Sequence, residues 1–206
     1  DVVIGGDLLQ FLVGAALHDG AVELACLAGR ADNESLPVLV DQALGHDGVA
    51  FEVVQVRGRD ELVEIAGEAA ECAKIFGVDP QIAFLSYSTH GSGKGDAVDK
   101  MRNAAEKTRA KYPELPIDGE LQFDAAVSPR VARTKCPESK VAGHANTFIF
   151  PDINAGNIGY KIAQRMGNFD AYGPILLGLN APVNDLSRGC NASEVYSMAI
   201  ITAALA

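Results

Sequence analysis

At 206 residues the chain is long enough for one large domain or parts of two, and its 48% hydrophobic and 21% charged content is that of an ordinary globular protein. A formal net charge of −10 with no Lys/Arg block excludes a general role on nucleic acid or on an anionic membrane surface. No apolar run reaches the ~18 residues needed to span a bilayer, and Cys26, Cys72, Cys136 and Cys190 form neither a CxxC nor a metal-ligand pattern, which suits reduced thiols in the cytoplasm.

The sequence starts at Asp1 without an initiator methionine and is expected to be a fragment. In chain order, Leu8–Leu17 and Val22–Ala28 read as helical. Leu36–Leu44 and Val49–Val56 are β-prone, with Gly45-His-Asp-Gly48 between them as a hairpin turn. Residues Asp60–Phe76 are amphipathic, with Leu62, Ile65, Ala69, Cys72 and Ile75/Phe76 on one stripe. From Gln81 onward short apolar runs alternate with amphipathic stretches. Strands are expected at Ile82–Tyr87, around Leu121 and Phe123, at Thr147–Phe150 and at Ile175–Leu179. Helices are expected at Ala97–Lys111 with Asp96 as N-cap, Ala125–Lys135, Gly156–Met166 ending at Gly167, and Ala192–Ala204. This alternation predicts an α/β protein: a layered sheet with mostly parallel strands, bordered by an antiparallel hairpin.

Three motifs carry candidate chemistry. In Ala181-Pro-Val-Asn-Asp-Leu-Ser-Arg-Gly-Cys190 a hydroxyl (Ser187), a guanidinium (Arg188) and a glycine (Gly189) lie between a strand and a helix start. Backbone N–H groups beside a permanent cation make an anion site with a nucleophile-sized polar group attached. Ser86-Tyr-Ser-Thr-His-Gly-Ser-Gly-Lys-Gly95 is a glycine loop between strand and helix in which Ser88, Thr89 and Lys94 could contact phosphate. Its spacing fits neither GxxxxGK[ST] nor GxGxxG, so nucleotide-loop readings fail. Phe150-Pro-Asp-Ile-Asn-Ala-Gly-Asn-Ile-Gly-Tyr-Lys161 joins helix-capping residues, Asp152 or Asn154, to Asn157 at a helix entrance. The cations nearest these glycine-rich turns are Arg188, Lys94, Lys161 and Arg165. His18, His46, His90 and His144 have no metal spacing, so no metal is expected.

These blocks, with Pro116-Ile-Asp-Gly-Glu-Leu-Gln-Phe-Asp-Ala-Ala126, closely resemble the phosphate acetyltransferase (phosphotransacetylase) family over residues 75–206, and only weakly over residues 1–50. The resemblance implies a two-domain phosphotransacetylase-like (isocitrate/isopropylmalate dehydrogenase-like) architecture with the first domain largely absent. Residues 24–174 would form a central α/β domain, and 1–23 and 175–206 would be remnants of a discontinuous first domain. It implies exchange of an acetyl group between phosphate and the thiol of coenzyme A, with coenzyme A as substrate, no separate cofactor and a homodimer in the cytoplasm.

By the same resemblance Ser187 would hydrogen-bond the thiol or the developing oxyanion, and Arg188 would grip phosphate. Ser88, Thr89, Lys94 and Asn157 would bind substrate. The family's proposed general base is an aspartate seven positions after the serine; here Glu194 stands there. Asn191-Ala-Ser-Glu194 is equally a capping box, with Asn191 as N-cap and Glu194 folding back, and both roles can coexist. Two rivals remain at this level. A phosphate butyryltransferase would share the fold, and a non-catalytic ligand-sensing module would share only the scaffold.

Overall fold

The computed structural model describes residues 15–18, 21–28, 51–52 and 59–205 apart from 168, 178, 180 and 187, with side chains described from Glu61 onward except at Asp170 and those four positions. In chain order the elements are β1 (Ala15–His18), β2 (Ala21–Ala28), β3 (Phe51–Glu52), α1 (Arg59–Ile75), β4 (Ile82–Leu85), α2 (Asp96–Lys111), β5 (Ile117–Leu121), α3 (Phe123–Val127), α4 (Pro129–Lys135), β6 (Thr147–Ile149), α5 (Ile153–Met166), β7 (Asp170–Leu177) and α6 (Ala192–Ala204).

The expected parallel sheet is present as three strands in the order β5-β4-β6. All four residues of β4 are buried, and the strand divides them between its two faces. Ile82 and Phe84 enter a core with Leu62 and Ile65 of α1 and Met101 of α2. Ala83 and Leu85 enter a second core with Leu121, Ala125, Ala132 and Phe148. A parallel strand covered on both faces reads as a continuous apolar run, which is why Ile82-Ala-Phe-Leu85 was legible. Each large side chain so buried contributes about 1.5–3 kcal/mol. Tyr172, Ile175 and Leu177 of β7 and Met198 and Ile201 of α6 belong to the first core as well.

Outside this sheet the described pairings are antiparallel. Strands β1, β2 and β3 are neighbours, and β7 pairs with β2. The helical reading of 8–17 and 22–28 is therefore corrected for residues 15–17 and 22–28, which are strands. Register pairs His18 with Ala21 across the dipeptide Asp19-Gly20, a strong hairpin signal that the helical reading overlooked. The proposed hairpin over 36–56 lies outside the described residues except for β3.

Helix limits follow local chemistry. The α1 stripe is buried at Leu62, Ile65, Ala69, Cys72 and Phe76, whereas Ile75 is 41% exposed. Helix α2 has Gly95 at its N-cap position without a side-chain cap, so Asp96 is the first helical residue rather than the cap. The single helix expected over 125–135 is two. Ser128, extended at φ −104° and ψ 111°, separates them and caps α4, with Pro129 at its start. Phe123 opens α3 rather than continuing a strand. Asp152 caps α5 by accepting from the N–H groups of Asn154 and Ala155, which starts that helix three residues earlier than expected.

Candidate functional site

Because β4, β5 and β6 are parallel, their carboxyl ends share one edge of the sheet, and the segments that follow them meet there. That edge is the usual ligand position in an open α/β sheet. The segment after β4 is the glycine loop 86–95; Gln122 follows β5, and Pro151 and Asp152 follow β6. Lys100 of α2 donates to the Pro151 carbonyl at 2.6 Å and ties that helix to the segment after β6.

The loop is built on side-chain bonds rather than on regular structure. Ser88 is fully buried; its hydroxyl donates to Glu120 Oε1 at 2.8 Å and accepts the Gly93 N–H at 2.8 Å. The Thr89 hydroxyl donates to Gln122 Oε1 at 3.2 Å and accepts the Gln122 N–H at 2.9 Å. The Gly91 N–H donates to Glu120 Oε1 at 2.7 Å. Gly91 sits at φ +85°, a conformation that side-chain-bearing residues rarely adopt, so the chain turns there on a glycine. Tyr87, outside the loop's core, donates to the Lys94 carbonyl at 2.8 Å.

Glu120 on β5 completes this arrangement. Arg102 Nε donates to its Oε2 at 2.9 Å and Nη2 to its Oε1 at 3.1 Å, a two-pronged pair. Burial pushes the Glu120 carboxyl up, but Arg102, the Gly91 N–H and Ser88 outweigh it and hold the group down at about 2. The hydrogen bonds of Glu120 raise Arg102 further above its ordinary value. Gly119 beside it has φ +157°, and a Cβ there would stand 2.6 Å from Phe84 Cβ, so the strand can pass the core only as glycine.

The loop and the start of α2 enclose an open concavity of about 450 Å³. His90, Lys94, Asp99 and Arg102 line it together with Gly91, Gly93 and Gly95. Its volume falls in the range of small-molecule sites. Lys94 thus lines a ligand-sized space. Ser88 and Thr89 reach that space only through the loop they hold. Asn157, half-buried on α5, lines neither this concavity nor the second cleft.

The second cleft lies between α5, β7 and the start of α6. Lys161, Arg165, Tyr172, Cys190 and Glu194 are among its lining residues. Glu194 Oε2 accepts the Asn191 N–H at 2.8 Å, while Asn191 Oδ1 accepts the Glu194 N–H at 3.0 Å, so the capping box is formed in full. Arg188 is exposed, and Ser187 lies outside the described residues. Among the described residues none lines both clefts.

Motif reading missed Glu120, Arg102 and the Asp118 cluster. Asp118 accepts from Ser139, from the Gly119 N–H at 2.8 Å and from Arg109 at 3.5 Å, and pairs with His90 at 3.2 Å. Asp124 pairs with Lys135 at 2.8 Å, and that hydrogen bond draws its carboxyl below the ordinary range. The available signal was a pair of carboxylates, Asp118 and Glu120, alternating with Ile117, Gly119 and Leu121 in one short strand. Among the described residues no cluster of three His, Cys, Asp or Glu side chains could hold a metal, and no helix is long and apolar enough to cross a membrane.

Residues 52–203 match the family described as phosphate acetyl/butaryl transferase. The phosphate acetyltransferase of Bacillus subtilis strain 168 is 59% identical over 146 residues, which cover 71% of this chain and 45% of that protein. The chain spans about half the length of the curated relatives it matches. Among solved structures, a phosphotransacetylase from Streptococcus pyogenes superposes with a TM-score of 0.77 at 48% identity, covering 94% of this chain and 54% of that one. A branched-chain phosphotransacylase from Enterococcus faecalis V583 shares the fold with a TM-score of 0.66 at 20% identity, covering 89% of this chain and 62% of the other.

Proposed function

This chain belongs to the phosphate acetyl/butyryl transferase family, and on that premise we propose that the protein it forms exchanges an acetyl group between phosphate and coenzyme A. The carrying observation is that the family match over 52–203 encloses both the glycine loop and Ser187-Arg188-Gly189. The relatives at 55–59% identity are acetyltransferases by name, which favours acetyl over butyryl as the transferred group.

In the proposed reaction the coenzyme A sulfur attacks the acetyl carbon of acetyl phosphate. A C–S bond forms, the C–O bond to phosphate breaks, and phosphate leaves carrying the electron pair. Glu194 takes the thiol proton, which departs with phosphate on release. Ser187 donates to the carbonyl oxygen as it becomes an oxyanion, and Arg188 holds the phosphate with its planar fork. Lys94 meets an anionic part of coenzyme A at the rim of the concavity; Ser88 and Thr89 act by shaping the loop. Asn157 is kept as a further substrate contact. The working form is taken to be a cytoplasmic homodimer that uses no metal, with residues 24–174 as one unit and the flanking stretches as parts of another.

The test is thioester formation from acetyl phosphate and coenzyme A by the full-length protein. Arg188→Lys should raise the KM for acetyl phosphate by about tenfold, and that for coenzyme A much less, since charge stays while the two-pronged geometry goes. Coenzyme A binding without any turnover would move the protein to the ligand-sensing reading.

A further inference from the structure

Glu120 is a carboxylate with 1% of its surface exposed, and neither the acyl transfer nor the metal-free chemistry described above uses it. It accepts four hydrogen bonds. Ser88, Gly91 and Arg102 Nη2 converge on Oε1, and Arg102 Nε occupies Oε2. The His90 N–H also donates to the Glu120 carbonyl at 3.1 Å. Taking a charge out of water costs several kcal/mol, and an apolar pair of similar volume is often no less stable. Stability alone is therefore a weak reason for a carboxylate here. Its geometry is specific: one side chain ties the end of β5 to the loop 86–95 and to α2, the two elements that enclose the concavity.

We infer that Glu120 is a positioning residue, which through Ser88, Gly91 and Arg102 sets both the glycine loop and the guanidinium that form the wall of the concavity beside Lys94. As regards the occupant, this rests on the coenzyme A reading above. Two consequences follow from the bond list. The Gly91 and Gly93 N–H groups are engaged with Glu120 and Ser88, so they do not cradle an anion in this arrangement. Charge recognition at this wall therefore falls to side chains. Arg102 is fixed in plane by its paired bonds to Glu120, and its Nη1 donates to Asp99 at 3.1 Å, which leaves the guanidinium one orientation at the rim.

Two substitutions separate the halves of this device. Glu120→Gln keeps an acceptor oxygen for Gly91 and Ser88 but turns an amide NH₂ toward Arg102, releasing the guanidinium. Ser88→Ala breaks the relay from Glu120 to Gly93 while leaving the Arg102 pair in place. In the full-length protein, Glu120→Gln should raise the KM for coenzyme A by about tenfold or more, the effect of losing a charged hydrogen bond. Its kcat at saturation should stay within roughly threefold, because no reacting atom is touched. Ser88→Ala should speed amide hydrogen exchange at Gly93 and raise the same KM by a smaller factor, while Gly91, held by Glu120 itself, stays protected. A folded Glu120→Gln protein with unchanged KM, or with kcat lowered at constant KM, would overturn the inference. Should the Gln variant not fold, Ser88→Ala decides: unchanged exchange at Gly93, lost protection at Gly91 or an unchanged KM overturns it. A wild-type protein that does not bind coenzyme A overturns the functional reading instead, and the exchange measurement still decides the positioning role.

Discussion

The two regions that carry the candidate chemistry are held in opposite ways. Loop 86–95 is anchored from inside: Ser88 and Thr89 are at 0% and 4% exposure, and the charge that organises them, Glu120, is buried too. Segment 181–194 is anchored at Asn184, at Leu186, which packs against the first core, and at the start of α6. Asn184 accepts the Leu176 N–H at 2.8 Å and donates to Thr202 at 2.7 Å, and the Asn191–Glu194 capping box holds the far end. Between those ties stand exposed Arg188 and Gly189. The first region is built as a fixed wall and the second as a presented group. A wall should respond to substitution in binding and stability, and a presented group in turnover.

The largest expected effect lies in the second region. Glu194→Gln keeps the capping geometry, because glutamine also serves at that helix position, but removes the proposed base. A free glutamate and a thiol differ by roughly 4 pKa units, so proton transfer starts about 6 kcal/mol uphill. Arg188 and the N-terminus of α6 lie beside the reaction in the proposed arrangement and lower that gap by stabilising thiolate. A loss in kcat of roughly 10²–10⁴ is expected, with the melting temperature nearly unchanged. Ser187→Ala should cost about 10²–10³ in kcat as one oxyanion donor is lost. Full turnover by either variant ends that residue's assignment and turns segment 181–194 from a presented group into a connector.

The first region should answer in stability. Glu120 is held at about 2 in the folded protein, against an ordinary carboxylate value of about 4.3 in an unfolded chain. A depressed carboxyl contributes stability that is present above the unfolded value and is lost as pH falls through the folded one. Wild type should therefore exceed Glu120→Gln by about 3 kcal/mol near pH 7, with the gap closing between about pH 4.5 and 2. Chemical denaturation at a series of pH values reads this directly. A gap that stays constant down to pH 2 would show that the carboxylate's charge is not what holds the wall.

The contrast between the regions also explains what the sequence disclosed. Helix α6 was legible to the residue because its signals are local: the capping box at its start and an apolar run of helical length. The same holds for the α1 stripe and for the fully covered strand β4. Strand β2 was misread because Val22–Ala28 alone carries no period that separates strand from helix, while one of its partners, β7, is remote in sequence and the local turn signal Asp19-Gly20 was passed over. Lys94 was legible from glycine spacing. Glu120 and Arg102 were not, because their pairing joins a strand to a helix across 18 positions and only burial reveals it. Family motifs located the presented groups, since those sit in contiguous blocks. They reached the loop side of the wall, Ser88, Thr89 and Lys94, but not the Glu120–Arg102 pair that ties the loop to β5 and α2.

The smallest expected effect returns to Glu194 and separates its two roles within one side chain. Glu194→Ala removes the oxygen that accepts the Asn191 N–H, while Asn191 still accepts the Glu194-position N–H, so half of the capping box survives. The box lies on the surface: Asn191 is exposed and Glu194 half-buried, so water replaces the lost acceptor. A loss of at most about 1 kcal/mol is expected, at the low end for helix caps. Glu194→Gln should lose less than that, because its carbonyl oxygen takes the same bond. Thermal unfolding of the two variants beside their kcat values gives four numbers with a definite pattern. Activity should fall in both variants alike, and stability chiefly in Ala. If instead activity follows stability, falling in Ala and surviving in Gln, the carboxylate acts only by starting the helix. Segment 181–194 would then be a scaffold like loop 86–95, and the proton acceptor would have to come from another part of the full-length protein.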